Sequence, residues 1–317
     1  MNYWVQRLLM AVLLLIAVSM LTFGAMNVLG DPLFNILGPR VGDTSPEGLA
    51  LIDAAKAEYN LDKPLPVRYA IWAGDFVRGD FGVQFSNDGQ PPVSNLIKER
   101  LPRTASLLVM AQLLATLIAI PWSLWSASKA NTAVDKISTV STFLIIALPN
   151  FALAVVLKYL FAIKIGIFPL TYTAGDPILS RLFQLFLPAL TIALPAAAVY
   201  QRLLRTDIIT TLQEDFILMA RSKGVSRRNV LFKHALRPSL FSFVTVFGIN
   251  TGALIGGALI VETIFRVPGL GSAVVESVLR EDFPVVLAIV MIVTATFVAV
   301  NIIVDVLYSL IDPRVRK

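Results

Sequence analysis

Ionisable side chains are scarce in this chain, and the cations among them are concentrated in one segment. The 317 residues include a single histidine, His234, and no cysteine. This composition argues against a histidine-based metal site, a histidine acid–base catalyst and a cysteine nucleophile. By contrast, seven Lys or Arg side chains lie between residues 205 and 238, around Gly224, with few acids to balance them. The pattern predicts a contact surface for lipid headgroups or for a partner protein rather than a catalytic centre.

The rest of the chain is too apolar to form a soluble domain. Hydrophobic residues make up 56% of the sequence and charged residues 15%, whereas soluble domains carry about 25% charged residues. Six stretches reach the roughly 20 apolar residues that a helix needs to cross a bilayer, and they lie at 8–29, 105–127, 138–163, 182–200, 240–261 and 285–310. The first is longer than the roughly 7–15 apolar residues of a signal peptide, so we expect it to be retained. The sequence therefore predicts an all-α integral membrane protein with six transmembrane helices in one domain, residues 1–317.

The distribution of Lys and Arg predicts the orientation, because short cytoplasmic loops are enriched in these residues. Fourteen of them flank the six stretches on the side that holds both chain termini, and four lie in the short loops of the opposite side. Both termini and residues 205–238 are therefore predicted to be cytoplasmic. This topology explains the net charge of +6, so a nucleic-acid partner is not required.

Residues 31–103 form the long loop after the first span, and the predicted orientation makes this loop extracytoplasmic. It carries ten acids and eight bases, a nearly neutral mixture. Helical spacing of apolar residues continues up to Tyr59, and a turn at Pro64 precedes a second amphipathic run. Aromatic side chains such as Trp72 would be exposed in a flexible linker. The loop is therefore predicted to form a small folded helical cap.

Residues 205–238, between the fourth and fifth spans, have the pattern of two short helices joined at a glycine. Apolar residues recur at roughly helical spacing from Asp207 to Gly224, and Gly224 permits a backbone turn that residues with a Cβ resist. Ser226 is suited to cap a second helix, which Pro238 is expected to end. Such a projection could rest on anionic lipid headgroups, where each Lys or Arg contributes about 1 kcal/mol, or dock on a cytoplasmic protein.

The stretch EDFILMARSKGVSRRNVLFKHALRP, residues 214–238, resembles the coupling loop of ABC importer permeases, which carries the so-called EAA motif. Ala220 and Gly224 occupy matching positions of that motif. Leu218 stands where its glutamate usually lies, and the Glu-Asp pair four residues earlier is typical of the peptide-transporter branch. At the end of the motif, Arg-Pro replaces the usual Leu-Pro.

The resemblance extends over nearly the whole chain. Five blocks have the order and spacing found in dipeptide and oligopeptide permeases. They are LDKPLPVRYAIWAGDFVRGDFG, ALPNFALAVVLKYLFAIKIGIFPL, LPALTIALPAAAVYQRLLR, GGALIVETIFRVPGLGSAVVESVLREDFPVV and NIIVDVLYSLIDPRVR. Together they are most similar to the member of the permease pair that has the long first outer loop.

The resemblance implies how the basic segment is used. In this family the loop fits a groove on a cytoplasmic ATPase subunit, and ATP-driven closure of two such subunits moves the loop and its attached spans. The residues implied in ATPase coupling are Glu214, Asp215, Ala220, Arg221, Lys223, Gly224, Ser226 and Arg227. The sequence lacks G-x-x-x-x-G-K-[ST], so ATP and Mg are expected on the partner ATPase subunits and no cofactor in this chain.

The same resemblance implies the other partners and the location. The partners are a second homologous permease, two ATP-binding subunits, the lipid bilayer, and an extracytoplasmic solute-binding protein that delivers di- or oligopeptides. The chain would form half of an alternating-access translocation path in the bacterial inner (cytoplasmic) membrane. It would be a transporter subunit and not an enzyme, and no metal site is expected.

A glycine stripe in the fifth span is a candidate for the gate or for helix packing. Gly248, Gly252 and Gly256 recur every four residues, and small residues let membrane helices approach closely. The stripe could line the pore, contact the second permease or pack within this subunit.

The turn after the fifth span is a second candidate for the gate. It contains Glu262, Pro268 and Gly269, and family analogy places it near the extracellular gate; a solvated turn is the alternative. In the third span, Lys158 is expected to extend its amine to the outer surface.

Polar and proline residues inside the spans have both structural and functional interpretations. Asp305, with Asn301 one turn earlier, could line the pathway or carry a proton, but a buried acid bonded to a neighbouring span is favoured because no chain of acids accompanies it. Pro149, Pro188 and Pro195 are expected to kink the third and fourth spans.

Other functions are compatible with parts of the pattern. The same type of permease could import nickel, glutathione or another small solute. A self-contained secondary transporter or channel would show inverted repeats and several intramembrane charges, which the sequence lacks. A membrane scaffold that only anchors a partner would not need an outer cap or kinked, glycine-rich spans.

Overall fold

The computed structural model describes residues 3–29, 32–86 and 89–311. Within these ranges the regular elements are helices, apart from an isolated bridge between Val83 and Pro92. The helices are α1 (Tyr3–Leu29), α2 (Pro32–Leu37), α3 (Pro46–Glu58), α4 (Leu65–Val77), α5 (Val93–Ser128), α6 (Ala133–Ala147), α7 (Asn150–Leu157), α8 (Ile178–Thr211), α9 (Asp215–Ser222), α10 (Arg227–Asn229), α11 (Leu236–Phe265), α12 (Leu270–Leu279) and α13 (Phe283–Ile311). A 3-10 turn follows α2, and π-helical turns follow α7 (Lys158–Lys164) and α10 (Val230–Ala235). The predicted all-α class is confirmed.

Five helical stretches in the described residues are long and apolar enough to cross a membrane, and a bent pair makes a sixth if it is counted as one span. The five are Val5–Val28, Val93–Ser128, Ile178–Thr211, Arg227–Phe265 and Phe283–Val306. The bent pair is Ala133–Ala147 with Asn150–Lys164, whose axes differ by 103°. The integral-membrane class is therefore confirmed, with five or six spans.

The third predicted span, residues 138–163, is not one straight helix. A proline disfavours a helical conformation of the residue before it, and Leu148 is accordingly extended, with φ −78° and ψ 124°. Pro149 is therefore a break between α6 and α7 rather than a kink within a helix. In contrast, α8 continues through Pro188 and Pro195, so neither of these prolines ends it.

Several helices are longer than the apolar stretches that predicted them. α5 begins at Val93 instead of near residue 105, and α8 ends at Thr211 instead of near residue 200. Hydropathy marks the part of a helix suited to hydrocarbon, whereas the backbone hydrogen bonds continue into polar residues. The loop predicted at 31–103 consequently ends before α5, and its last residues form the first turns of that helix.

Contacts divide the chain into two compact units, Met1–Pro102 with Gly269–Val298 and Arg103–Pro268 with Ala299–Lys317. In the first unit, α3 and α4 occupy the two runs in which the long loop was predicted to be helical. Trp72 of α4 lies with its ring centroid 5.5 Å from that of Phe23 of α1. This contact shields the aromatic side chain for which a folded cap was predicted, while the location of the cap outside the cytoplasm stays a prediction.

The second unit has a core of small side chains between long helices. α11 and α6 both pack on α8, and α7 packs on α11. Alanines are fully buried at four-residue spacing on α5 (Ala111, Ala115, Ala119) and on α8 (Ala189, Ala193, Ala197). Small side chains allow close approach of helices, which strengthens van der Waals contact where lipid supplies no hydrophobic drive.

Candidate coupling site

The segment that joins α8 to α11 contains the predicted ATPase-coupling residues. A continuous helix from 207 to 224 was expected, and that expectation is wrong: α8 ends at Thr211, and α9 begins at Asp215 after a short turn. Glu214 is the extended residue before α9, and Asp215 lies in its first turn. Carboxylates are stabilised near the positive N-terminal end of a helix and not in its interior, which explains the new helix start at this pair.

The turn after α9 has the predicted local chemistry. Gly224 adopts φ +77°, a conformation that a side chain with a Cβ resists, and its N–H donates to the Arg221 carbonyl at 2.9 Å. Ser226 then caps α10, since its side chain accepts a hydrogen bond from the Asn229 N–H at 3.4 Å. The geometry at Gly224 and Ser226 agrees with expectation, while their role in coupling stays a prediction.

Pro238 does not end the second helix, contrary to expectation. It is the third residue of α11, which follows α10 through the π turn Val230–Ala235 without a break. A proline ring in a regular α-helix clashes with the carbonyl four residues earlier, here that of His234. His234 lies in the π turn, in which the backbone bonds run from i to i+5 and not in the regular α-helical pattern.

The surface of α9 is unusually apolar for an exposed helix. Ile217 is completely buried, and Ala220 is also buried, so these two side chains attach α9 to the second unit. Leu218 is 65% exposed and Met219 59% exposed, and Phe216 beside them is also exposed. We call Phe216, Leu218 and Met219 the exposed apolar face of α9. Among the other predicted coupling residues, Glu214, Asp215, Arg221, Lys223, Gly224, Ser226 and Arg227 are exposed.

A buried ion pair lies beneath this segment, and sequence reasoning missed it. Asp135, in the first turn of α6, accepts two hydrogen bonds from Arg205 of α8, at 2.5 Å from Nε and 2.6 Å from Nη2. The same carboxylate accepts from Ser126 Oγ at 2.7 Å and from the Asn131 N–H at 3.0 Å. The available signal was an acid at the start of the third span and a base near the end of the fourth, which the predicted topology places on one membrane side.

A second polar cluster, also missed, lies inside the helical core. Gln112 of α5 donates from Nε2 to the Tyr200 hydroxyl at 3.0 Å and to Thr251 Oγ1 at 3.2 Å. The Tyr200 hydroxyl donates in return to Gln112 Oε1 at 3.2 Å. Tyr200 is fully buried and Gln112 nearly so, so each supplies the partner that the other requires. The cluster ties α5, α8 and α11 together.

The three glycines of the predicted stripe do not share one environment. Gly248 is buried, and a Cβ added there would overlap the Val304 side chain. Gly252 is also buried, whereas Gly256 is exposed and a Cβ there would meet no atom within 4 Å. Four residues advance a helix by roughly 40° beyond a full turn, so the stripe rotates away from the packed face. A close contact that sequence reasoning missed is at Gly257, where a Cβ would lie 2.9 Å from Asn150 Nδ2.

These environments predict opposite effects of the same substitution. We expect Gly248→Ala to lower the midpoint of thermal unfolding of the isolated chain in mild detergent, because overpacking costs about 1–3 kcal/mol. Gly256→Ala is the matched control on the same helix, and it should be neutral or slightly stabilising, since alanine exceeds glycine by about 1 kcal/mol in helix propensity. Equal midpoints for the two variants would contradict the close packing at Gly248.

The turn after α11 is organised by buried contacts. Glu262 is fully buried and accepts a hydrogen bond from Thr104 Oγ1 at 2.6 Å. Arg103 Nη1 donates to the Pro268 carbonyl at 3.1 Å. The left-handed residue that ends α11 is Arg266, with φ +55°, and Gly269 is extended at the start of α12. A role for these residues in a gate stays a prediction.

Two polar residues inside the spans behave differently from one another. The Nζ of Lys158 donates to the Ile264 carbonyl at 2.5 Å and lies 5.6 Å from the centroid of the Phe265 ring, while its extension to the outer surface stays a prediction. The last carbonyls of a helix lack backbone partners, and Lys158 supplies one at the end of α11. Asp305 is half-buried in α13, which leaves its predicted roles open.

Sequence comparison relates this chain to known proteins. Residues 119–317 match the model of the family described as the binding-protein-dependent transport system inner membrane component. The chain is 35% identical to the oligopeptide transport system permease protein AppB of Bacillus subtilis, over 99% of each chain. It is also 32% identical to a putative peptide permease protein of Brucella suis and 31% identical to a probable peptide ABC transporter permease protein of Sinorhizobium fredii, again over 99% of each chain. The chain therefore belongs to the family of inner membrane components of binding-protein-dependent transport systems.

Proposed function

We propose that this chain is a permease subunit of an ABC importer for di- or oligopeptides and that it forms half of the translocation path. The similarity to an oligopeptide permease over 99% of both chains carries this proposal. It is supported by further relatives that are named as peptide permeases. Nickel, glutathione and ATP-independent transport are not favoured, because none of these relatives bears such a name.

We infer that the exposed apolar face of α9 docks on an ATPase subunit, which makes the segment between α8 and α11 cytoplasmic. Three large apolar side chains on so short a helix leave substantial apolar surface in water, and a partner protein would remove it. Buried Ile217 holds the helix in place, so the face is presented by a fixed element. ATP and Mg would be bound by two such ATPase subunits, and this chain would move with them.

The other partners follow from the same proposal. The unit that contains α3 and α4 would lie outside the cytoplasm, beside the solute-binding protein that delivers the peptide. A second, homologous permease would complete the path, and both termini of this chain would be cytoplasmic. Alternating access would then require that motion of α9 be transmitted to the membrane spans of this chain.

The experiment that tests the proposal is reconstitution of the tagged chain from its native host. Extraction in mild detergent is expected to recover a second permease and two ATPases, and proteoliposomes of this complex should import a labelled oligopeptide only with ATP and the binding protein. Recovery of the chain alone, with solute movement that needs no ATP, would replace this proposal with a secondary transporter.

Contact of α9 with lipid headgroups is the alternative that its neighbouring cations favour. A photo-reactive residue at Met219 separates the two cases, since it is expected to crosslink to an ATPase subunit in native membranes. Crosslinks to lipid alone would assign the exposed apolar face to the membrane surface and would leave the docking site unidentified.

A further inference from the structure

Two arginines, one on each side of α9 in the sequence, reach the same turn of the molecule. This turn joins α5 to α6, and we call it, together with the flanking residues that the arginines contact (residues 128–135), the α5–α6 turn. Arg205 of α8 binds Asp135, whose carboxylate also accepts the N–H of Asn131 in the turn. Arg227, the first residue of α10, donates from Nη2 to the carbonyl of Ser128 at 3.2 Å. The turn is therefore held by one residue before α9 and one residue after it. We call residues 212–235, which join α8 to α11 and include α9, the coupling segment.

The Asp135–Arg205 pair is built for fixed geometry. The Asp135 side chain is only 4% exposed and that of Arg205 22% exposed. Two parallel hydrogen bonds join the planar guanidinium to the planar carboxylate, an arrangement that restricts orientation as well as distance. Ser126 of α5 occupies a further acceptor position of the same carboxylate. One carboxylate thus joins α5, α6 and α8.

A second layer repeats this three-helix contact deeper in the unit. Ser138 accepts from Trp122 Nε1 of α5 at 2.8 Å and from Gln201 Nε2 of α8 at 3.2 Å. These residues lie three or four positions from Asp135, Ser126 and Arg205, which is one helical turn. Each layer draws one polar side chain from each helix, so α5, α6 and α8 are joined over two successive turns.

These contacts matter because of how the chain is connected. α9 is linked through the backbone to α8 and, through α10, to α11, but it has no such short link to α5 or α6. Motion imposed on α9 can reach those two helices only through side-chain contacts. Among the described contacts, those of the α5–α6 turn join α5 and α6 to arginines on both sides of α9.

We propose that the α5–α6 turn moves as one body with the coupling segment, with Asp135 and Arg205 as the positioning residues that transmit the displacement of α9 to α5 and α6. This inference rests on the proposed function, since it requires an ATPase that displaces α9. It predicts that disrupting the pair uncouples ATP hydrolysis from transport instead of merely lowering the amount of complex.

The direct test measures a distance in the complete complex. The chain has no cysteine, so two introduced cysteines carry the only spin labels on this subunit. They are Lys136→Cys on α6 and Gln213→Cys beside α9. Transport by the labelled complex is measured first, to show that the labels leave it active. Trapping the ATPases with ATP and vanadate is expected to leave the distance between these labels unchanged. In Asp135→Asn the same distance should shift or broaden. A shift of equal size in the unmodified background would overturn the inference.

The functional test compares transport per ATP hydrolysed in complexes of equal composition. Asp135→Asn is expected to lower this ratio by about fivefold or more, the low end of typical coupling free energies, while the ATPases still co-purify. Arg205→Lys keeps the charge, loses the two-bond geometry and serves if Asp135→Asn does not fold. Arg202→Gln is the matched control, because Arg202 is exposed one turn earlier on α8 and contacts Phe143 instead of the turn.

The outcomes separate the inference from the proposed function. An unchanged ratio in both Asp135→Asn and Arg205→Lys, with normal assembly, would show that the pair is structural only and would overturn the inference. Absence of ATPases from the complex of the unmodified chain would instead refute the proposed function, and the inference with it.

Discussion

Replacing Leu218 and Met219 together with aspartate is expected to strip the ATPase subunits from the purified complex and to abolish peptide import. Both side chains are more than half exposed on α9, and burying a Leu or Met side chain contributes about 1.5–3 kcal/mol. The double variant therefore removes roughly 3–6 kcal/mol of docking free energy, or about two to four powers of ten in affinity. Unpaired carboxylates in the interface would weaken docking further. Co-purification of the ATPases and import of a labelled peptide measure the effect.

The control for this experiment adds a negative charge next to α9 without removing apolar surface. Gln213 is exposed in the turn just before α9, so Gln213→Asp should leave assembly and import close to normal. The amount of each variant in the membrane must match that of the unmodified chain, which is expected because neither Leu218 nor Met219 is buried. If the ATPases stay bound to the double variant, α9 does not dock through this face.

The second large effect is expected in the polar cluster of the core. Gln112→Leu removes both hydrogen bonds of the fully buried Tyr200 hydroxyl. A buried polar group without a partner costs about 1–3 kcal/mol, so the midpoint of thermal unfolding in mild detergent should fall clearly. The loss comes from the orphaned hydroxyl and not from the leucine, which has nearly the volume of glutamine.

A double variant distinguishes this cause from simple disturbance of packing. Tyr200→Phe removes the orphaned hydroxyl, so Gln112→Leu with Tyr200→Phe should recover most of the stability lost in Gln112→Leu alone. Thr251 keeps a partner in the double variant, because its Oγ1 also donates to the Phe247 carbonyl at 2.8 Å. A double variant as unstable as the sum of its two single changes would show that the cluster is not held by these hydrogen bonds.

The expectations that the structure corrected share a physical origin. Hydropathy treated residues 138–163 as one span, although Pro149 forces Leu148 out of the helical region and breaks it. Pro238 was expected to end the second short helix, but it is the third residue of α11. In each case the sequence pattern identified the type of residue correctly but did not predict the path of the helix in three dimensions.

The membrane class, the approximate spans, the turn at Gly224 and the cap at Ser226 could all be predicted from the sequence. Each of these depends on interactions within a few residues, namely transfer of apolar side chains to lipid, backbone sterics and a side chain bonded three residues ahead. The folded chain was needed to show that Asp135 contacts Arg205, 70 residues away, and that Gln112 contacts Tyr200, 88 residues away. Such pairs depend on the rotation and register of packed helices, and because each residue turns a helix by roughly 100°, a small change in register points a side chain at a different neighbour.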